Sequence, residues 1–113
     1  MATIKQIQTG FGRFIDSHIA TAFEGWQRAV VVGCSTLVAA NLPNLVQAYG
    51  SNPMVAAMGV YNPEAGTVDV EKVYNAFVPN MGADRIPVTI PKIGTVRIGK
   101  EDIDVLCRYI KEA

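Results

Sequence analysis

His18 is the only histidine in the chain and the first residue to weigh for chemistry. An imidazole titrates near neutrality, so it can move protons or bind a metal. Either task needs partners: a nucleophile with an orienting acid, or further ligands. His18 lies between Phe14 and Ala22 at the edge of an apolar stripe, and no Cys or second His stands at ligand spacing. The expectation is a partly buried ring that hydrogen-bonds a backbone carbonyl or a neighbour such as Ser17 or Asp16. Glu101, Asp102 and Asp104 form the densest acidic cluster, and paired carboxylates could hold Mg²⁺ or Ca²⁺. They fall in the first turn of a predicted helix, where the helix dipole already favours acids, and no Asp-rich loop surrounds them. No metal is expected there.

Gly10-Phe11-Gly12-Arg13-Phe14-Ile15 superficially matches an aromatic strand that stacks on RNA bases. Arg13 interrupts that pattern, Thr9 replaces the leading basic residue, and the segment opens a helical stretch, so base stacking is not expected. Nor is it a dinucleotide loop, because no strand precedes it and the third glycine is missing. Cys34 and Cys107 are far apart within apolar helical patterns and read as free, buried, unreactive thiols. With no paired acid and base, these residues predict no enzyme, catalytic residue, cofactor or metal.

What must be positioned is therefore a surface. The 113 residues carry ten Lys plus Arg against ten Asp plus Glu, with a pI near 6.5 and 50% apolar residues. That is one domain, long enough for a modest core without staples. Zero net charge provides no field to attract nucleic acid or an anionic membrane. Met1 to Asp16 holds no continuous apolar stretch of signal-peptide length, so signal-directed export is not expected and a cytoplasmic location is.

Ile4, Ile7, Phe11, Phe14, Ile15, Ile19, Phe23 and Trp26 recur at helical steps, predicting an amphipathic N-terminal helix. Gly10 and Gly12 each cost about 1 kcal/mol in a helix interior, so its regular part is expected to start at Phe11 or Arg13. Arg28 to Tyr49 continues as helix, bent or broken at Pro43. A short helix follows over Pro53 to Met58, ended by Gly59. Asn62 to Gly66 is a surface loop, and Asp69 caps a helix with Val70, Val73, Tyr74 and Phe77 on its apolar face, closed by Pro79 to Gly82. From Ile86 the period changes to two, and Ile86 to Ile98 reads as a β-hairpin whose prolines confine its first strand to an edge. A last helix, Glu101 to Lys111, is expected to cover that hairpin with Ile103, Leu106, Cys107 and Ile110. The prediction is an α+β, mostly helical single domain over 1–113, with residues 1–59 helical and 67–113 arranged as helix, hairpin, helix.

From Ala29 through Pro63 there is no Asp, Glu, Lys or Arg, so all twenty charges lie outside that segment. Such a gap marks burial in the fold, in a partner or in lipid. Ala29, Gly33, Thr36 and Ala40 align along one side of the predicted helix, and small strips let helices approach closely. A bilayer span needs about 20 apolar residues, whereas Asn41, Pro43, Asn44 and Gln47 interrupt the second half. A span is disfavoured. The expectation is a homo-oligomer or a protein partner packed on that strip.

Gly25-Trp26 leading into the charge-free helix, Asn52-Pro53 followed by Gly59-Val60, Val68-Asp69-Val70, and Ile90-Pro91-Lys92-Ile93-Gly94 through Asp102-Ile103-Asp104 to Tyr109-Ile110 together resemble small uncharacterised proteins of phages and prophages of Gram-positive bacteria. The resemblance spans most of the chain and transfers no functional residue. It implies a noncatalytic virion part or a phage-encoded accessory protein.

Overall fold

A computed structural model describes residues 1–113. The chain runs β1 (Ala2–Thr3), α1 (Ile4–Phe14), a π-helical turn (Ile15–Ile19), a 3-10 turn (Ala20–Ala22), α2 (Gly25–Gly50), α3 (Pro53–Met58), β2 (Tyr61–Asn62), β3 (Thr67–Val68), α4 (Val70–Met81), β4 (Ile86–Ile90), β5 (Gly94–Ile98) and α5 (Lys100–Glu112). This is the expected α+β domain, with a hairpin followed by the last helix.

Helix α1 starts earlier than its glycines suggest. The Thr3 hydroxyl accepts the Gln6 N–H at 3.1 Å, and the Gln6 side-chain carbonyl accepts the Thr3 N–H at 2.9 Å, so a capping box fixes the N-terminus. Gly10 is a point of close approach, not a break: a Cβ there would lie 2.6 Å from the Ile110 Cα of α5. The stripe ends earlier than expected. After Phe14 the helix widens into the π turn and tightens into the 3-10 turn, and Gly25 takes a left-handed φ of +59°. Trp26 consequently leaves the stripe and stands 59% exposed.

Pro43 does not interrupt α2, which runs as one helix of 26 residues. A proline has no N–H, so the carbonyl of Ala39 loses its intrahelical donor. The Gln8 side-chain amide supplies one from α1 at 2.8 Å. Asn52 caps α3 by accepting the Met54 N–H, and Gly59 ends it, as expected, in the left-handed conformation. Three two-residue strands, antiparallel in the order β1-β3-β2, tie the N-terminus to the loop around Asn62. Asp69 caps α4, but the helix continues through Pro79 to Met81, and its buried residue is Val78. Val73 and Phe77, expected on its apolar core face, are exposed.

In the hairpin Ile86 pairs with Ile98 and Val88 with Val96. Phe14, Ile19, Ala20 and Val31 form the buried cluster, with Ile90, Ile98, Val105 and Leu106 packed against it. Helix α5 lies chiefly against α1. It meets the hairpin around an apolar cavity of about 310 Å³, to which Ile103 and Leu106 of α5 and Val88, Val96 and Ile98 of the hairpin contribute walls. Only ten of 113 residues are fully buried, which leaves much apolar surface outside.

Candidate interaction surface

Side chains on α2 advance by about 100° per residue. Val31, Cys34, Ser35 and Val38 share the side that faces the cavity between α1, the hairpin and α5. By the same spacing Ala29, Gly33, Thr36 and Ala40 lie on the opposite side. All four are exposed, and a Cβ added at Gly33 would meet nothing within 4 Å. No element of the chain covers the strip. An outward helix face normally carries charge, yet within α2 the only charged residue is Arg28.

Three of the polar side chains on α2 are turned back onto their own helix. Ser35 and Thr36 hydroxyls both donate to the Val32 carbonyl, and the Asn41 amide donates to the Leu37 carbonyl. Such back-bonding uses donors that would otherwise hold water.

The C-terminal half of α2 borders an apolar groove of about 430 Å³ against α3, the small sheet and α4. Leu45, Tyr49, Met58 and Phe77 line it, each at least 42% exposed. Gly50 is required here, because a Cβ would run into the Tyr61 ring. Leu45 also lines a shallower hollow with Leu37, Val38 and Asn41, so the apolar surface is continuous along the helix. The sequence singled out the small strip, but not this groove. Its signal was the absence of charge through Pro63, longer than any single strip needs.

The titratable residues make structural ties. His18 Nε2 and Asp102 Oδ1 are 2.7 Å apart, joining the π turn to the start of α5. This corrects the expected partner, which was a backbone carbonyl, Ser17 or Asp16. The ring stacks on Phe14, with centroids 5.2 Å apart, and its only side-chain hydrogen bond is to Asp102. Asp102 Oδ2 also accepts the Gly99 N–H at 2.8 Å, with Arg85 at 3.5 Å. Burial raises the Asp102 carboxyl, but Gly99, His18 and Arg85 together outweigh it and hold the group below the usual carboxylate range. Arg85 also pairs with Glu101, and Asp104 accepts the Tyr74 hydroxyl proton, which pushes the Tyr74 phenol up. Both cysteines are free and half-buried. Burial pushes the Cys107 thiol up; Lys111 opposes that and Asp104 reinforces it. No three His, Cys, Asp or Glu side chains converge in a way that could hold a metal ion.

Compared with family models, curated proteins and solved structures, the chain matches none of them.

Proposed function

We propose that this is a noncatalytic assembly protein whose uncharged helix α2 packs against copies of itself or a protein partner, in the cytosol or, for a phage-derived protein, in the virion. One observation carries the reading: of 26 residues in α2, only Val31 is fully buried. Leu37, Leu45, Tyr49, Met58, Val73 and Phe77 are 39% to 69% exposed. At ~200 Å² for a large apolar side chain they present on the order of 600 Å². That reaches the upper end of the largest apolar patch on a typical monomer, ~300 to 600 Å². A standard interface buries about 800 Å² per partner, so little more is needed to hold two chains together. Ala29, Gly33, Thr36 and Ala40 on the far side would let a second helix approach closely.

A second reading, insertion of α2 in a bilayer, is favoured by an 18-residue stretch of mean hydropathy 1.7. It conflicts with the Gln8 contact at Ala39, which ties α1 and its charged Lys5 and Arg13 to the middle of the same helix. Light scattering after size exclusion, with and without detergent, on protein from a fractionated lysate separates the two. A soluble oligomer without detergent supports assembly, and Gly33→Leu or Ala40→Leu should then reduce its mass. Recovery with membranes supports insertion. A detergent-free monomer at every concentration would sink the assembly reading.

A further inference from the structure

We infer that the cavity between α1, α2, the hairpin and α5 is a binding site for a small uncharged, hydrocarbon-like molecule carrying at most a hydroxyl group. The cavity of about 310 Å³ has walls from every large element except α3 and α4, and 13 of its 17 lining residues are hydrophobic. Phe14, Val31, Ile98 and Leu106 are among them. Of its polar side chains Ser35 and Asp102 are already engaged, and Thr89 is exposed on the hairpin. The Ser35 hydroxyl donates to Val32, and the Asp102 carboxylate holds His18 and the Gly99 N–H. No buried side-chain polar atom is left without a partner.

Those facts decide the occupant. A buried water needs two to four polar partners, and this cavity offers almost none, so water gains little by filling it. Val38 and Val88 at its rim are 45% and 44% exposed, so the cavity opens to solvent, and without an apolar occupant its walls forfeit dispersion contacts. In a domain with eight buried hydrophobic residues that loss is a large fraction of the packing. A void of ~150 Å³ takes a benzene-sized molecule, so this one suits about a dozen heavy atoms. Asp102 is the only charged residue in the lining. Its carboxylate disfavours an anionic head group, while its remaining lone pairs can accept a hydroxyl proton. Alkyl alcohols therefore fit and fatty acid anions do not.

The site gives its own readout, because Cys34 lines this cavity whereas Cys107 lines a separate polar pocket. The full-length protein is titrated with 1-decanol or with decanoate below micelle formation, following thermal unfolding and the rate of thiol labelling at each cysteine. Decanol should raise the unfolding temperature and slow labelling of Cys34 severalfold, leaving Cys107 unchanged. Decanoate should bind about tenfold more weakly or less. Val88→Trp, at a half-exposed wall position on β4, should abolish both decanol effects. Equal binding of decanoate, no effect of either ligand, or undiminished binding by Val88→Trp overturns the inference. So does a decanol effect confined to the oligomer's mass, which would place the ligand on the outer face of α2 and bear on assembly alone.

Discussion

Helix α5 carries seven charged residues among thirteen, and helix α2 carries one among 26. Six of the charges of α5 sit on one side, Asp102 turns inward to His18, and the other side meets α1 so closely that Gly10 has no room for a methyl group beside Ile110. In α2 one side meets the core at Val31, while the opposite strip from Ala29 to Ala40 faces outward without charge. The distribution of charge around a helix tells how many of its sides are meant to meet water. By that measure α5 is completed by its own chain, whereas on the proposed reading α2 is completed by a second chain. Substitutions on the two helices should consequently report through different measurements.

The largest expected effect is on the completed side. Ile110 keeps 6% of its exposure, so Ile110→Ala should cost ~2 to 5 kcal/mol. That is a large share of the ~5 to 15 kcal/mol holding a typical domain. Leu37, at 67% exposure, should change the urea midpoint of the dissociated chain little when replaced by Ala, and should instead lower the mass in solution. If Leu37→Ala destabilises the isolated chain as much as Ile110→Ala does, the contrast between the helices is wrong.

A smaller loss is expected from Gly10→Ala, at ~1 to 3 kcal/mol by overpacking. Alanine normally favours a helix over glycine by about 1 kcal/mol, so a net loss can only come from the contact with Ile110. An unchanged or raised urea midpoint would mean that α1 and α5 are farther apart than described.

Next comes the tie at the start of α5. Asp102→Asn keeps the shape but removes the charge that holds His18 and Arg85, and should cost about 1 to 2 kcal/mol near neutral pH. The folded carboxyl lies below its ordinary value of 3.8, so its stabilisation is complete above that value. It is lost as pH falls through the lower folded value. Urea midpoints of parent and variant should therefore converge between about pH 5 and pH 2. A gap that stays constant across that range would remove Asp102 ionisation from the account.

Local chemistry made much of this architecture legible. Asp69, Asn52 and Gly59 mark helix ends, and the change of period at Ile86 marks the hairpin, because each acts within a few residues. The misreadings share a different cause. Gly10 looked like a break until Ile110 was beside it, Pro43 until Gln8 reached the carbonyl of Ala39, and His18 had only local partners in view until Asp102 arrived from 84 residues away. The three short strands were missed because two residues contain no period. The strip from Ala29 to Ala40 was readable as residues, but only the fold placed it outward.

The smallest expected effect has the opposite sign and is the sharpest probe of α2. At Gly33 the backbone is helical and a new Cβ meets nothing within 4 Å. In the isolated chain Gly33→Ala should stabilise by about 0.4 to 1 kcal/mol, because it reduces the freedom of the unfolded state. In the proposed assembly the added methyl would occupy the space through which a second helix approaches. The oligomer should then gain less than the dissociated chain, or weaken. Urea midpoints measured above and below the dissociation concentration give both numbers from one variant. Equal stabilisation at the two concentrations would show that no helix packs at Gly33, leaving the groove around Leu45 and Phe77 as the surface to pursue.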